Sequence, residues 1–375
     1  MSIAASASER SVRTGGRPPV ALVHDYLTQR GGAERVALAL AHAFPDAVLH
    51  TSVYNPGSTF PELADVRVAP GALNRVPAFR GDPRRALPLL APAFSRRRID
   101  ADVVVCSSSG WAHGIQTDGR KVVYCHTPAR WLHQTERYLS QSGRAVGLAL
   151  AAMKPWLLEW DRRAAHSADA YIVNSHAVRT RVKEVYGLDA IVIPPPHAAD
   201  PNGPKEDVAG VQPGYYLVVS RLLPYKNVDA VVKAFEERPD LRLVVVGTGP
   251  EERRLQAMAA GNVQFVGTVS DDRLRWLYAH CRALIAVSYE DFGLTPLEAA
   301  AFGKPTLALR FGGYLDTIHP GRTGLFIDTP TADAVADGLT ELSTLTMAPE
   351  QLESHAAAFS ESAFIRRLHG VVGAG

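Results

Sequence analysis

Short apolar runs alternate with stretches of helical periodicity along nearly the whole chain. Pro19–Asp25 (PVALVHD) reads as a buried strand, the loop LTQRGG follows, and Ala33–Phe44 then carries apolar residues at helical spacing. Val48–Tyr54, Val66–Ala69, Ala101–Ser107, Lys121–Cys125 and Ala170–Asn174 read as further strands, and Ser175–Tyr186 as a helix. The same order restarts near residue 215. Tyr215–Ser220, Leu241–Gly247, Val263–Val266, Ala283–Val287 and Thr306–Leu309 are predicted strands. Val228–Glu237, Glu251–Ala259, Asp271–His280 and Pro296–Phe302 are predicted helices between them. This alternation predicts α/β structure, with parallel sheets covered by helices on both faces.

Pro194-Pro195-Pro196 and the polar run after it interrupt the pattern, because three prolines continue neither a central strand nor a helix. The predicted division is a disordered tail at 1–17, an N-terminal domain at 18–200, a C-terminal domain at 201–355 and a terminal segment at 356–375. Two doubly wound units side by side place a ligand in the cleft at the carboxyl ends of their strands.

Composition narrows the function. The 375 residues are 46% hydrophobic and 21% charged, an ordinary globular balance. Lys+Arg is 40 against Asp+Glu 38, a net charge of +2, which argues against a dedicated nucleic-acid binder. Three cysteines without a C-x-x-C point to a reducing compartment and no structural zinc. No run approaches the ~20 apolar residues of a membrane span, and the N-terminus lacks the apolar core of a signal peptide. The expected location is cytoplasmic.

Four segments carry candidate chemistry. In EDFGLTPLE, Glu290 and Glu298 straddle a glycine loop and a helix start, where carboxylates can grip sugar or ribose hydroxyls. The amides of Gly293–Thr295 there can hold an anion. The competing reading is local, with Thr295-x-x-Glu298 as a capping box. Arg221 and Lys226 follow a strand, with Asn227 as a plausible cap for the next helix; two cations at a helix start suit a diphosphate, although solvated surface cations are the commoner fate. Gly31-Gly32 before a helix allows close approach to phosphate or makes a plain tight turn. His126 directly follows a strand, a good place for a cleft residue, although a lone histidine is more often structural.

Taken in order, Arg221-x4-Lys226, Gly247-Thr248-Gly249-Pro250 and Glu290-x7-Glu298 in EDFGLTPLEAAAFGKP resemble the pattern of family 4 glycosyltransferases. The resemblance continues through Gly312-Gly313-Tyr314 and HPGRTGLFI. It includes VHDYLTQRGGAERV, YCHTPARWL and NSHAVRTRVKEVYG in the first half, so that it covers about residues 18 to 370. The HTP-x-R-aromatic form resembles bacterial mannosyltransferases of O-antigen and exopolysaccharide synthesis. Trp131 stands where that branch often has tyrosine, which bears on the acceptor surface.

The resemblance implies a GT-B fold: two Rossmann-like, doubly wound domains facing a cleft, with the last helix (Ser360–Val372) returning to the first domain. It implies a retaining hexosyltransferase that acts on a nucleotide-sugar, first GDP-mannose and second a UDP-hexose, with a glycan or lipid-linked acceptor. Arg221 and Lys226 would hold the diphosphate, with Gly31, Gly32 and the Gly247 turn near it. Glu298 would bond the ribose and Glu290 the sugar hydroxyls. The Phe292, Gly293, Leu294 and Thr295 loop would lie near sugar and phosphate, and His126 by the reacting centre.

No cofactor and no metal are expected. Asp100-Ala101-Asp102 matches a metal-binding D-x-D, but it precedes a strand instead of following one. Arg80–Arg98, with six arginines around an apolar centre, either lies on an anionic membrane surface or packs as a helix in the first domain. A competing class, a nicotinamide-dependent oxidoreductase, rests on Gly247-Thr248-Gly249; Glu252 stands where its fingerprint needs glycine.

Overall fold

The computed structural model describes residues 19–133 and 144–373. The tail expected at 1–17 lies outside them. The first sheet holds β1 (Val20–His24), β2 (Leu49–Thr51), β3 (Val68–Pro70), β4 (Val103–Ser108), β5 (Arg120–Cys125), β6 (Ala170–Val173) and β7 (Ile191–Val192). Its strands run in the order β3-β2-β1-β4-β5-β6-β7, with all pairings parallel. The second holds β8 (Tyr216–Val219), β9 (Leu243–Val246), β10 (Val263–Gly267), β11 (Ala283–Ala286), β12 (Thr306–Leu309) and β13 (Gly324–Ile327), ordered β10-β9-β8-β11-β12-β13 and again parallel.

Parallel strands need both faces covered, and the side chains show it. Along β1, Ala21 and Val23 join one buried cluster while Leu22 joins the other; Val104 and Val105 divide in the same way in β4. Fully burying each such valine or leucine contributes roughly 1.5–3 kcal/mol. In each sheet the strand order reverses beside the first strand, between β1 and β4 and between β8 and β11. These two switch points open crevices at the carboxyl ends of the strands.

The linker after Pro196 is pinned near the chain's end: the His197 amide donates to the Phe359 carbonyl (3.2 Å). The last helix, Glu361–Val372, buries Phe364, Leu368 and Val372 in the first domain's core. Its Glu361 meets His42 at 2.5 Å, and His369 contacts the Ala43 carbonyl at 3.0 Å.

Arg80–Arg98 is not one helix. It divides into the end of Pro77–Gly81, a 3-10 turn Pro83–Ala86 and a helix Leu87–Ser95. Its apolar centre turns inward: Leu90, Ala91 and Phe94 are buried in the core. Arg97 donates to the Thr51 and Ala69 carbonyls (3.2 and 3.1 Å). Among the described residues no helix is long and apolar enough to cross a membrane.

Candidate functional site

A cleft of about 480 Å³ lies between the two switch points. The first domain gives it Tyr26, Gly31, Gly32, His126, Arg130 and Trp131. The second gives Arg221, Lys226, Glu290, Phe292, Gly293, Leu294, Thr295 and Tyr314. Ten of the twelve residues singled out from the sequence thus line one cavity. Gly247 and Glu298 do not line it. Gly247 directly follows β9 and donates its amide to the Gly267 carbonyl (2.8 Å).

Two local expectations need correcting. Thr295 is not a cap residue: the helix Thr295–Ala301 begins at it, Leu294 precedes it, and no side chain caps that end. Glu298 instead accepts the Tyr278 hydroxyl proton (2.8 Å), and burial raises its pKa against the help of that bond. Asn227 does occupy the cap position of helix Val228–Glu236, but in a left-handed conformation (φ 53°). Its side-chain amide donates to the Val287 carbonyl (2.8 Å), so it ties the loop after β8 to the end of β11 instead of capping.

Charge is distributed with purpose in this cleft. Lys226, in the turn Pro224–Lys226, donates to Glu290, whose carboxylate also accepts weakly from Ser288 (3.4 Å). Arg221 is exposed at the cleft wall. Gly293 has φ +82°, and a side chain there would run into the Tyr314 ring, so only glycine lets this loop pass. The Tyr314 hydroxyl is bound to Ser288 at 2.7 Å, which fixes that ring. On the opposite wall Gly31 precedes helix Gly32–Ala43, and the Glu34 Oε2 lies 2.5 Å from where a Gly31 Cβ would be.

Further residues complete the site, and of these the sequence had singled out only Trp131 and the EDFG run that holds Asp291. Asp291 bonds Arg130 through Oδ2 (Nε at 2.9 Å) and Arg181 through Oδ1 (2.7 Å), both from the first domain. Burial favours its neutral form, but the two guanidiniums outweigh that and hold its pKa below the ordinary aspartate value. Ser175 caps helix His176–Tyr186 by accepting from the Val178 amide, and also donates to the Asp291 carbonyl (2.6 Å). Asp25 accepts the Ser109, Trp111 and Ala112 amides (2.7, 3.3 and 2.6 Å) and so shapes the loop after β4. Asp161 holds His133 and Tyr186 at 2.8 Å each, which anchors the short helix Arg130–His133 that presents Arg130. Trp131 stacks on Trp111 (centroids 4.5 Å apart, planes at 10°), a buried indole pair beside the cleft.

Glu34 is a buried acid behind the Gly31-Gly32 turn. Burial pushes its pKa up to about 7, against bonds from its own amide and Gln29 and the charge of Arg221. Its folded pKa exceeds the unfolded one, so its contribution is complete below pH 4.5 and lost as pH rises through 7. Glu34→Gln is expected to gain about 3 kcal/mol relative to the parent between pH 4.5 and pH 8. Denaturant titrations of both proteins at the two pH values measure this; a difference independent of pH contradicts the assignment.

Asp100 and Asp102 precede β4, at the amino end of the sheet and away from the cleft. Among the described residues no group of three His, Cys, Asp or Glu is placed to hold a metal.

Family models decide the identity. A Glycosyltransferase Family 4 model matches residues 30–198, and a Glycosyl transferases group 1 model matches 204–359. The chain belongs to glycosyltransferase family 4. The fold of this family 4 chain is GT-B. It superposes on sucrose-phosphate synthase from Thermosynechococcus elongatus with a TM-score of 0.70 at 20% identity, covering 95% of this chain and 98% of that one. The Anabaena HepE protein in complex with UDP and glucose gives 0.70 at 18% identity, covering 96% and 100%. In sequence it is 30% identical over 230 residues to the GDP-mannose-dependent alpha-(1-6)-phosphatidylinositol monomannoside mannosyltransferase of Mycolicibacterium smegmatis. That match spans 54% of this chain and 59% of the relative's length. A GDP-mannose-dependent alpha-mannosyltransferase of Corynebacterium glutamicum is 34% identical over 130 residues, 34% of this chain and 29% of that protein.

Proposed function

We propose that this family 4 protein transfers a hexose from a nucleotide-sugar, GDP-mannose first, to a glycan or lipid-linked acceptor, with retention and without a metal. The domain at 18–200 takes the acceptor and that at 201–355 the donor. The observation that carries this reading is the meeting of Arg221, the Lys226–Glu290 pair and His126 in one cleft. The mannosyltransferases among the relatives favour the sugar.

The mechanism follows from charge. Breaking the sugar–phosphate bond leaves a diphosphate anion and a cation-like sugar. Arg221 and Lys226 stabilise the anion, and the loop at Phe292–Thr295 adds main-chain amides. Glu290, held by Lys226, accepts from sugar hydroxyls and is not a free nucleophile. The leaving phosphate takes the acceptor's proton on the same face of the sugar, so no glycosidase-like carboxylate pair is needed. Glu298, bonded to Tyr278, supports the ribose side. Membrane contact through 80–98 would rest on exposed Arg80, Arg84, Arg85, Arg96, Pro88 and Leu89, since Ala86, Leu90, Ala91 and Phe94 are in the core.

A thermal-shift panel of GDP, UDP, GDP-mannose, UDP-hexoses and NAD, each with and without Mg2+, tests the reading. A ligand that binds only the native chain raises its melting temperature. The expected result is a shift with GDP and GDP-mannose that does not need Mg2+. A shift with UDP compounds alone moves the donor to a UDP-hexose, and a shift with NAD alone overturns the proposal.

A further inference from the structure

His126 does not stand alone in the cleft wall. β1 ends at His24, and β4 pairs with it so that His24 and Ser107 are in register. β5 ends one residue before His126. The His24 Nδ1 lies 2.9 Å from the Ser107 Oγ, and that oxygen lies 2.8 Å from the His126 Nε2. One buried hydroxyl therefore bridges two imidazoles across the carboxyl ends of three adjacent strands. Both His24 and Ser107 are shut away from solvent, at 2% and 0% exposure.

The direction of this chain follows from donor counting. With the protons reversed, the His24 N–H would sit on the other nitrogen of this buried ring, where none of the described residues accepts it. The nitrogen facing Ser107 thus carries a proton. With His24 donating toward Ser107, the hydroxyl spends its single proton on the His126 Nε2. A neutral imidazole has one N–H, so the His126 proton sits on Nδ1. Among the described residues nothing bonds that Nδ1, and it is not a buried unsatisfied atom of the wall. Burial keeps both rings neutral, with His24 pushed down to about 4 and His126 to about 3.

We propose that His24 and Ser107 are positioning residues that lock His126 in its Nδ1–H tautomer, so that His126 offers the cleft a hydrogen-bond donor and not a base. The role toward sugar rests on the glycosyltransferase reading above; the tautomer does not. In that reading the Nδ1–H donates to an oxygen of the bound sugar and orients it for transfer. Without the Ser107 hydroxyl the ring is free to take the Nε2–H form or to turn, and the donor is lost.

The test uses the full chain labelled with 15N-histidine. Two-bond 15N–1H spectra report which ring nitrogen carries the proton, and a His126→Gln spectrum assigns the His126 signals. The parent should show protonated Nδ1 and bare Nε2 at His126, with no change to neutral imidazole between pH 6 and 8. Ser107→Ala should shift His126 toward Nε2–H or tautomer averaging, His24→Phe should do the same, and Ser107→Thr should restore the parent pattern. In transfer assays Ser107→Ala should lower kcat about tenfold or more with donor KM nearly unchanged, because the donated hydrogen bond is lost from the reacting complex. A parent His126 already in the Nε2–H form, or a tautomer indifferent to Ser107→Ala, overturns the proposal. A correct tautomer with no effect on a demonstrated transfer overturns its kinetic part. Because the spectra need no substrate, they stand even if the nucleotide panel denies the glycosyltransferase reading.

Discussion

Replacing Lys226 with alanine is expected to lower sugar transfer by about three orders of magnitude while leaving the fold intact. The reason lies in what Lys226 faces. Its ammonium holds the Glu290 carboxylate, and the two sit together in the wall that also carries Arg221. Alanine removes a cation from the proposed leaving group and also exposes that group to an uncompensated carboxylate. The loss is therefore greater than that of one neutral donor. The fold is spared because the turn Pro224–Lys226 is held through the main chain, with the Lys226 amide donating to the Leu223 carbonyl (2.9 Å). Far-UV circular dichroism and the melting temperature should be close to those of the parent, and GDP binding should weaken. Lys226→Ala/Glu290→Gln should bind nucleotide better than Lys226→Ala alone, since it removes the stranded charge. Near-normal transfer by Lys226→Ala would discredit the diphosphate site.

The reach of the sequence here has a physical boundary. Apolar runs such as VVVCS and ALIA declared their strands because a parallel strand is buried on both faces and leaves no polar alternation to confuse the reading. Ile191–Val192 and Gly324–Ile327 escaped because a two-residue edge strand and a glycine-led run after HPGRT carry little pattern. The helix Arg144–His166 escaped for a different reason: Pro155 within it reads as a break. In the site, Arg221, Lys226 and Glu290 were legible because each puts a charge in the stretch between a strand and the next helix. The capping box that competed with the ribose role of Glu298, and the side-chain cap expected of Asn227, do not form, since the same residue types that close a helix also bond a tyrosine or a carbonyl from another segment. Asp291 shows the limit most clearly. Its neighbour Glu290 drew attention through spacing, whereas its partners Arg130 and Arg181 lie 161 and 110 residues away, a relation that no local pattern encodes.

That relation makes Asp291 the site of the second large effect. Asp291→Ala is expected to destabilise the closed pair of domains by about 3–5 kcal/mol, because it leaves two guanidiniums facing each other across a buried gap without their carboxylate. The isosteric Asp291→Asn should lose nearly as much, since the amide keeps the shape but not the charge. The charge state gives an independent check. The folded pKa of Asp291 lies below its unfolded value, so its stabilisation is present above about pH 3.8 and lost as pH falls through the depressed folded value. The gap between parent and Asp291→Asn should therefore be full at pH 7 and close only in strong acid. Removing one guanidinium as well should recover part of the loss: Arg130→Ala/Asp291→Ala should be more stable than the sum of the single variants predicts, a coupling that a double-mutant cycle in denaturant measures. Transfer should fall too, because Asp291 directly precedes the Phe292–Thr295 loop, and its tether to Arg130, Arg181 and Ser175 is what brings that loop against the first domain. Strict additivity in the cycle, with full activity in Asp291→Asn, would show that the bridge carries neither the stability nor the positioning assigned to it.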